Sequence, residues 1–139
     1  MYKKILLAVD GSKHSLRATK EAIQIASLVD DSRVELVLVA EFSQAKNEIL
    51  HSQGKEALVV SRRKKILPAI EQLKSNNVSY EVNILHGEPG PAIVDYANKN
   101  QFELVVIGSR GLNSFQEMVL GSVSHKVVKR VQCPVLIVK

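Results

Sequence analysis

The sequence predicts an α/β protein built on an open parallel β-sheet with helices on both faces. Five short apolar runs recur along the 139 residues, and stretches with helical spacing separate them. This alternation is typical of parallel strands joined by crossover helices. Three of the runs are apolar at nearly every position, as expected of strands that are covered on both faces. The length fits one domain over residues 1–139.

The predicted strands follow directly from the apolar runs. They are ILLAV at 5–9, VELVLVA at 34–40, VSYEVNIL at 78–85, ELVVI at 103–107 and PVLIV at 134–138. The third run alternates apolar with polar residues from Val78 to Ile84, whereas a strand covered on both faces would be apolar throughout. We therefore expect the third strand to lie at an edge of the sheet.

Four stretches between these runs place apolar residues at helical spacing, so that each helix offers one face to the sheet. These residues are Leu16, Ile23, Ala26 and Val29 in the first, Ile66, Ile70 and Leu73 in the second, Ile93, Tyr96 and Ala97 in the third, and Val123, Val127, Val128 and Val131 in the fourth. Pro68 interrupts the second pattern, because proline removes a backbone donor and clashes with the preceding turn. The second helix is therefore predicted either to kink or to restart there.

The cysteine content and the hydropathy pattern restrict the setting of the protein. Cys133 is the single cysteine, so the chain cannot form an intrachain disulfide, and we expect a buried structural thiol there. The opening MYKKILLAVDGS turns polar after five apolar residues and does not resemble a signal peptide. No apolar run approaches the roughly 18 residues of a membrane-spanning helix. These features predict a cytoplasmic protein without a membrane segment.

The net charge of +5 favours anionic partners, without choosing among nucleotides, nucleic acids and acidic membrane surfaces. The densest basic cluster, RRKK at 62–65, falls in a helical stretch and contains none of the aromatic residues that nucleic-acid modules use for stacking. We interpret this cluster as a solvated helix face. Nucleic acid is therefore not an expected partner.

Three loops are placed where an open α/β sheet binds ligands, beyond the carboxyl ends of its strands. They are DGS at 10–12, EFSQAKNEILHSQG at 41–54, and the glycine-rich GSRGLNSFQEMVLGS at 108–122. The second is the least patterned segment of the chain and the best candidate for a mobile loop.

The glycine-rich stretch contains two elements suited to phosphate. Gly108 and Gly111 follow a strand and let the backbone present bare amides to an anion. Gly121 and Ser122 open the fourth helix, where unpaired amides, the helix dipole and a hydroxyl favour phosphate. Arg110 lies between the first two glycines and would add a fixed cation. Together they could hold a polyphosphate, although either half alone is also ordinary turn chemistry.

Asp10 ends the first strand and allows two interpretations. It is either a turn aspartate, with Ser12 capping the first helix, or a carboxylate that accepts a ribose hydroxyl or helps to hold Mg²⁺ on phosphates. The P-loop and dinucleotide fingerprints are both absent from the sequence. The spacing of the residues does not indicate a nucleophile, a base and an orienting acid in one place. The histidines are scattered singly and predict no metal site; they are His14, His51, His86 and His125.

With these residues in view, the chain from 2 to 139 resembles the universal stress protein family. The family's ATP-binding pattern G-x2-G-x9-G-[ST] is matched at Gly108, Gly111, Gly121 and Ser122. The opening KKILLAVDGSKHS and the closing SVSHKVVKRVQCPVLIVK are equally typical of the family. Pro68 and a rather short loop after the second strand depart from its pattern.

The resemblance implies a Rossmann-like fold, similar to the adenine nucleotide alpha hydrolases, with strand order 3-2-1-4-5. It also implies ATP as the ligand, with Asp10 near the ribose and the backbone near Ala40 at the adenine. The residues implied around the ribose and phosphates are Gly108, Arg110, Gly111, Gly121, Ser122 and Val123.

The last predicted strand suggests a homodimer. PVLIV at 134–138 is apolar on both faces although the implied strand order leaves it at an edge, where an uncovered apolar strand is an aggregation hazard. The family commonly dimerises through this strand, and antiparallel pairing with a second copy would remove the hazard.

Three functions stay open at this point. The leading one is an ATP-binding stress-response module whose bound nucleotide orders loops and biases a dimer or partner contact. The second is a slow ATPase or phosphotransferase, because the glycine loops, Arg110 and a magnesium ion held by Asp10 would supply positioning and charge without a dedicated base. The third is a nucleic-acid or anionic-surface binder driven by net charge.

Overall fold

A computed structural model describes residues 1–40, 55–111 and 120–139. Its strands are β1 (Lys4–Ala8), β2 (Arg33–Ala40), β3 (Tyr80–His86), β4 (Leu104–Gly108) and β5 (Val135–Val138). Its helices are α1 (Lys13–Leu28), α2 (Lys55–Ser75), α3 (Pro89–Lys99) and α4 (Ser122–Arg130). Each of the five predicted runs forms a strand. The predicted mobile loop at 41–54 and most of the segment between Gly111 and Gly121 lie outside the described residues.

The strands form one parallel sheet in the order β3-β2-β1-β4-β5. In the centre of the sheet, Leu7 of β1 lies between Leu36 of β2 and Val106 of β4. The predicted fold class and the edge position of β3 are both confirmed. From β1 the chain proceeds through β2 to β3 on one side, and from β4 to β5 on the other. The strand order therefore reverses between β1 and β4.

Each face of the sheet packs against two helices, and the central strands are apolar because both of their faces are covered. On the face of α1 and α2, Ile5 and Leu7 pack with Ile23 and Ile66. On the face of α3 and α4, Leu6 packs with residues that include Ile93 and Val127. Ile5, Leu6 and Leu7 are fully buried, and each contributes about 1.5–3 kcal/mol through burial alone. This packing fixes the carboxyl edge of the sheet, where the candidate loops lie.

Two helical details refine the expectations from sequence. Pro68 lies inside α2, which continues as one helix from Lys55 to Ser75, so the helix does not restart there. Because proline has no N–H, the Lys64 carbonyl lacks its usual helical donor at Pro68. Both residues are exposed to solvent. The predicted apolar face of α4 is correct at the buried Val127 but wrong at Val128, whose side chain is 45% exposed.

Cys133 is partly buried and packs against the hydrophobic cluster under α3 and α4. Burial raises the pKa of its thiol, which keeps it protonated and weakly nucleophilic at neutral pH. A structural role for this cysteine is consistent with its position. Across the part of the chain that the structure describes, no helix has both the length and the apolar character needed to cross a membrane.

Candidate functional site

The candidate site lies at the carboxyl edge of the sheet, beside the point between β1 and β4 where the strand order reverses. Open α/β sheets bind ligands in the crevice at such a point, because the connecting loops diverge there to opposite faces. The residues from Asp10 to Ser12 follow β1, and Ser109 to Gly111 follow β4. The two loops therefore reach the same crevice from neighbouring strands.

The turn after β1 orients a carboxylate. Asp10 Oδ1 accepts a hydrogen bond from the Ser12 N–H at 2.9 Å, and Gly11 has a φ of +87°, a conformation that glycine adopts without strain. Ser12 Oγ accepts from the Ser15 N–H at 3.1 Å and caps α1. The predicted turn and cap are confirmed, and they direct the other carboxylate oxygen of Asp10 away from the turn.

That second oxygen faces the glycine loop after β4. A Cβ atom added at Gly111 would lie 2.5 Å from Asp10 Oδ2, closer than real Cβ contacts allow. With the Asp10 side chain in this position, only glycine lets the backbone of the loop approach the carboxylate so closely. Asp10 and Gly111, predicted separately from two motifs, are brought together.

Gly108 serves a different purpose. A Cβ atom there would lie 2.8 Å from His14 Cβ and 2.9 Å from the His14 backbone carbonyl carbon. The first turn of α1 thus packs directly on the end of β4, which only glycine permits. This packing places His14 beside the candidate site.

One backbone carbonyl joins the two halves of the glycine-rich motif. The carbonyl oxygen of Ser109 accepts the Gly121 N–H at 2.7 Å and the Ser124 hydroxyl at 2.7 Å. The loop after β4 is therefore closed onto the start of α4. Ser124 is 2% exposed, and the sequence interpretation overlooked it. A short hydroxyl residue on the inner face of the first helical turn was the signal that could have identified it.

The N-terminus of α4 offers main-chain amides to a ligand. Its cap residue is Gly121, which makes no side-chain capping bond, and the amides of Ser122 and Val123 lie in the first turn, where no intrahelical acceptor exists. The helix dipole places partial positive charge at this end, and Lys129 and Arg130 complement the opposite end. The arrangement favours an anion at the first turn.

His14 and Arg110 lie in contact beside the glycine loop. Arg110 Nη2 is 3.4 Å from His14 Nε2. Burial is the main factor that lowers the pKa of His14, followed by the positive charges of Arg17 and Arg110, whereas Asp10 acts in the opposite direction. The imidazole is therefore neutral at pH 7.

Ala40 and the basic cluster at 62–65 are the other residues that the sequence pointed out. Ala40 ends β2, is buried, and its carbonyl accepts the Gly87 N–H at 3.2 Å. Lys65 lies against the turn after β1, where a Cβ on Gly11 would be 3.5 Å from the Lys65 Cβ. Arg63 and Lys64 are exposed, in keeping with a solvated helix face, and the side chain of Arg62 lies outside the described part.

Fold and site together define a doubly wound α/β protein with an amide-rich crevice at its switch point. Among the described residues, the crevice combines the Asp10 carboxylate, the Arg110 guanidinium, a glycine loop and a helix N-terminus. Among residues 1–40, 55–111 and 120–139, no three His, Cys, Asp or Glu side chains are grouped so as to hold a metal ion.

Comparison with known proteins identifies the family. The Universal stress protein family matches residues 1–139, so the chain belongs to this family and the resemblance seen in the sequence is confirmed. Universal stress protein MJ0531 of Methanocaldococcus jannaschii is 35% identical over 150 residues, which cover all of this chain and 83% of that protein.

Solved structures share the fold. The structure of MJ0577, described as a hypothetical protein, has a TM-score of 0.85 and 29% identity, with 100% of this chain and 96% of that chain covered. A universal stress protein solved in complex with cAMP has a TM-score of 0.71 and 25% identity, with 99% and 97% covered.

Proposed function

We propose that this protein binds an adenine nucleotide, with ATP as the ligand, and acts in the cytoplasm as a nucleotide-dependent stress-response module. The observation that carries the proposal is the approach of Gly111 to Asp10 beside the N-terminus of α4. A site of this composition offers a carboxylate for hydroxyl groups or Mg²⁺ and main-chain amides for phosphates. The cAMP complex of a structurally similar family member supports the choice of an adenine nucleotide.

The described residues suit the parts of such a ligand. Asp10 would accept ribose hydroxyls or help to hold Mg²⁺ on the phosphates, because its Oδ2 faces the loop while its Oδ1 stays fixed by Ser12. The amides of Ser122 and Val123 would meet phosphate oxygens. The Gly121 N–H already donates to Ser109, so Gly121 would help by leaving space rather than by donating. We propose Ala40 as the adenine neighbour.

The proposal is tested by calorimetric titration of the protein with ATP, with and without Mg²⁺. We expect one ATP per chain, and Asp10→Ala should lower the affinity about tenfold or more, because a hydrogen bond to a charged group is lost. Asp95→Ala serves as the matched control, since Asp95 is exposed on α3. A well-folded protein that binds no ATP would contradict the proposal. Phosphate release above background would instead indicate an ATPase.

We also propose that β5 pairs with its counterpart in a second copy. β5 lies at the edge of the sheet, and its four residues are all only partly buried. The carbonyls of Pro134 and Val138 accept the N–H groups of Val105 and Ser109 in β4. Because backbone groups alternate sides along a strand, the N–H of Ile137 faces away from β4 and toward a partner strand.

Sedimentation equilibrium should show a dimer at high micromolar concentration. Ile137→Pro removes the outward N–H and is expected to shift the protein to monomer, because an edge strand needs that donor to pair. Ile137→Val keeps the N–H and should remain dimeric. Circular dichroism should confirm that both variants are folded. A wild-type protein that is monomeric throughout this range would refute the dimer.

A further inference from the structure

We propose that His14 is a positioning residue that couples phosphate binding to proton uptake: its imidazole is neutral against Arg110 in the free protein and becomes protonated when an anion enters between them. The proposal rests on the proposed nucleotide function and specifies how the phosphate end of that site responds to pH. It follows from the contact of His14 with Arg110 and from the packing that holds His14 in place.

The contact itself requires a neutral histidine. A guanidinium has donors but no acceptor, so the approach of Arg110 Nη2 to His14 Nε2 at 3.4 Å is a hydrogen bond only if Nε2 carries a lone pair. Protonation of Nε2 would instead set two cations against each other. The contact can then persist only if Arg110 moves or if an anion lies between the two groups.

His14 has little freedom to move away. Its Cβ and backbone lie against Gly108 at the end of β4, at distances that leave no room for even one methyl group. It also sits in the first turn of α1, which Ser12 caps. The imidazole is therefore held beside the loop that carries Arg110 and Gly111.

The charges around His14 favour an anion. Arg17 comes from the next turn of α1, Arg110 from the loop after β4, and Asp10 from the end of β1. Lys65 of α2 packs on Gly11 at the same edge, and Lys139 follows Val138, whose carbonyl accepts the Ser109 N–H. Among the described residues, the charges that act on His14 are two guanidinium groups and one carboxylate, so their field attracts phosphate and opposes a proton on His14 until phosphate arrives.

The sign of the pH effect follows from linkage. Burial and, after it, the neighbouring cations hold the pKa of free His14 below its ordinary value, and a bound phosphate would raise it. Binding therefore takes up a proton, and the affinity rises as pH falls through the pKa of the bound state. The rise ends below the pKa of the free state. An adjacent opposite charge shifts a pKa by about one unit or more, so we expect roughly tenfold tighter binding at pH 6 than at pH 8.

The test compares wild type, His14→Gln and His86→Gln in ATP titrations from pH 5.5 to 8, with the imidazole pKa values followed by NMR. Glutamine can still accept from Arg110 but cannot titrate, so the ratio of wild-type to His14→Gln affinity isolates His14 from the titration of ATP itself. His86 is exposed at the end of β3, and its variant should keep the wild-type pH dependence. A merely structural role for His14 would not produce a pH-dependent ratio.

Each outcome decides the proposal. A ratio that grows about tenfold toward pH 6, with a raised His14 pKa in the complex, supports it. A constant ratio while ATP still binds overturns it and leaves the proposed function intact. Inorganic tripolyphosphate distinguishes the His14 coupling from the nucleotide function. If tripolyphosphate raises the pKa of His14 in a protein that does not bind ATP, the anion coupling is supported and the nucleotide function is contradicted. Failure of the protein to bind either ATP or tripolyphosphate overturns both.

Discussion

Gly111→Ala is expected to lower the affinity for ATP by about tenfold to a hundredfold while leaving the protein folded. The added Cβ would lie 2.5 Å from Asp10 Oδ2, so the carboxylate must rotate away from the crevice. Rotation also strains the hydrogen bond that Asp10 Oδ1 accepts from Ser12. Because the displaced atom is the end of a side chain, we expect the free energy of unfolding to fall by only about 1 kcal/mol. Calorimetric titration and urea unfolding measure the two effects.

Gly90→Ala is the matched control for this substitution. A Cβ at Gly90 would also meet the movable part of a side chain, Lys126 Cδ at 2.8 Å, but between α3 and α4 rather than at Asp10. Its ATP affinity should stay at the wild-type value. If Gly111→Ala binds ATP as tightly as Gly90→Ala does, Asp10 and Gly111 do not form the proposed site.

Gly108→Ala is expected to destabilise the fold itself. Its Cβ would lie 2.8–3.1 Å from the Cβ and backbone atoms of His14, which no rotamer change can move. The first turn of α1 must therefore shift away from β4. Overpacking of this kind costs about 1–3 kcal/mol, which lowers the melting temperature by roughly 5 °C in a chain of this size. Urea unfolding should show a lower midpoint with an unchanged slope.

Gly121→Ala provides the comparison for stability. The nearest atom to a Cβ at Gly121 is Arg110 Cα at 3.5 Å, an ordinary contact, so the expected loss is under about 1 kcal/mol and comes from the weaker helix cap. Equal stability of the Gly108 and Gly121 variants would mean that α1 does not pack on β4 as closely as described.

Much of the fold was predictable from sequence because burial on two faces leaves a direct signature. Runs that are apolar at nearly every position predicted strands covered on both faces, and the alternation after Val78 predicted an edge. Strand order is not encoded in such periodicity, and it came only from the family resemblance. The effect of Pro68 was ambiguous from sequence. Proline weakens a helix locally, but the sequence does not reveal whether tertiary contacts hold the helix together across it. In the structure α2 continues through Pro68.

The candidate site was predicted unevenly, for a physical reason. Asp10 and the glycines stand in recognisable loops at strand ends, and the structure brings Asp10 and Gly111 together. His14 and Ser124 carry no pattern of their own, because their positions depend on contacts made only after folding. His14 lies at the site because Gly108 has no Cβ and lets α1 pack closely on β4. Ser124 lies there because its hydroxyl donates to the carbonyl of Ser109.

The nucleotide site is tested most directly by the pattern of backbone amide shifts in NMR spectra recorded while ATP is added. We expect the largest shifts at Gly111, Ser122 and Val123, which lie at the carboxyl edge between β1 and β4. Asp31 and Asn77 lie at the opposite edge, near the ends of α1 and α2, and should barely move. Saturable shifts centred on Asp31 and Asn77, or no shifts at all, would contradict an adenine nucleotide site at Asp10 and Gly111.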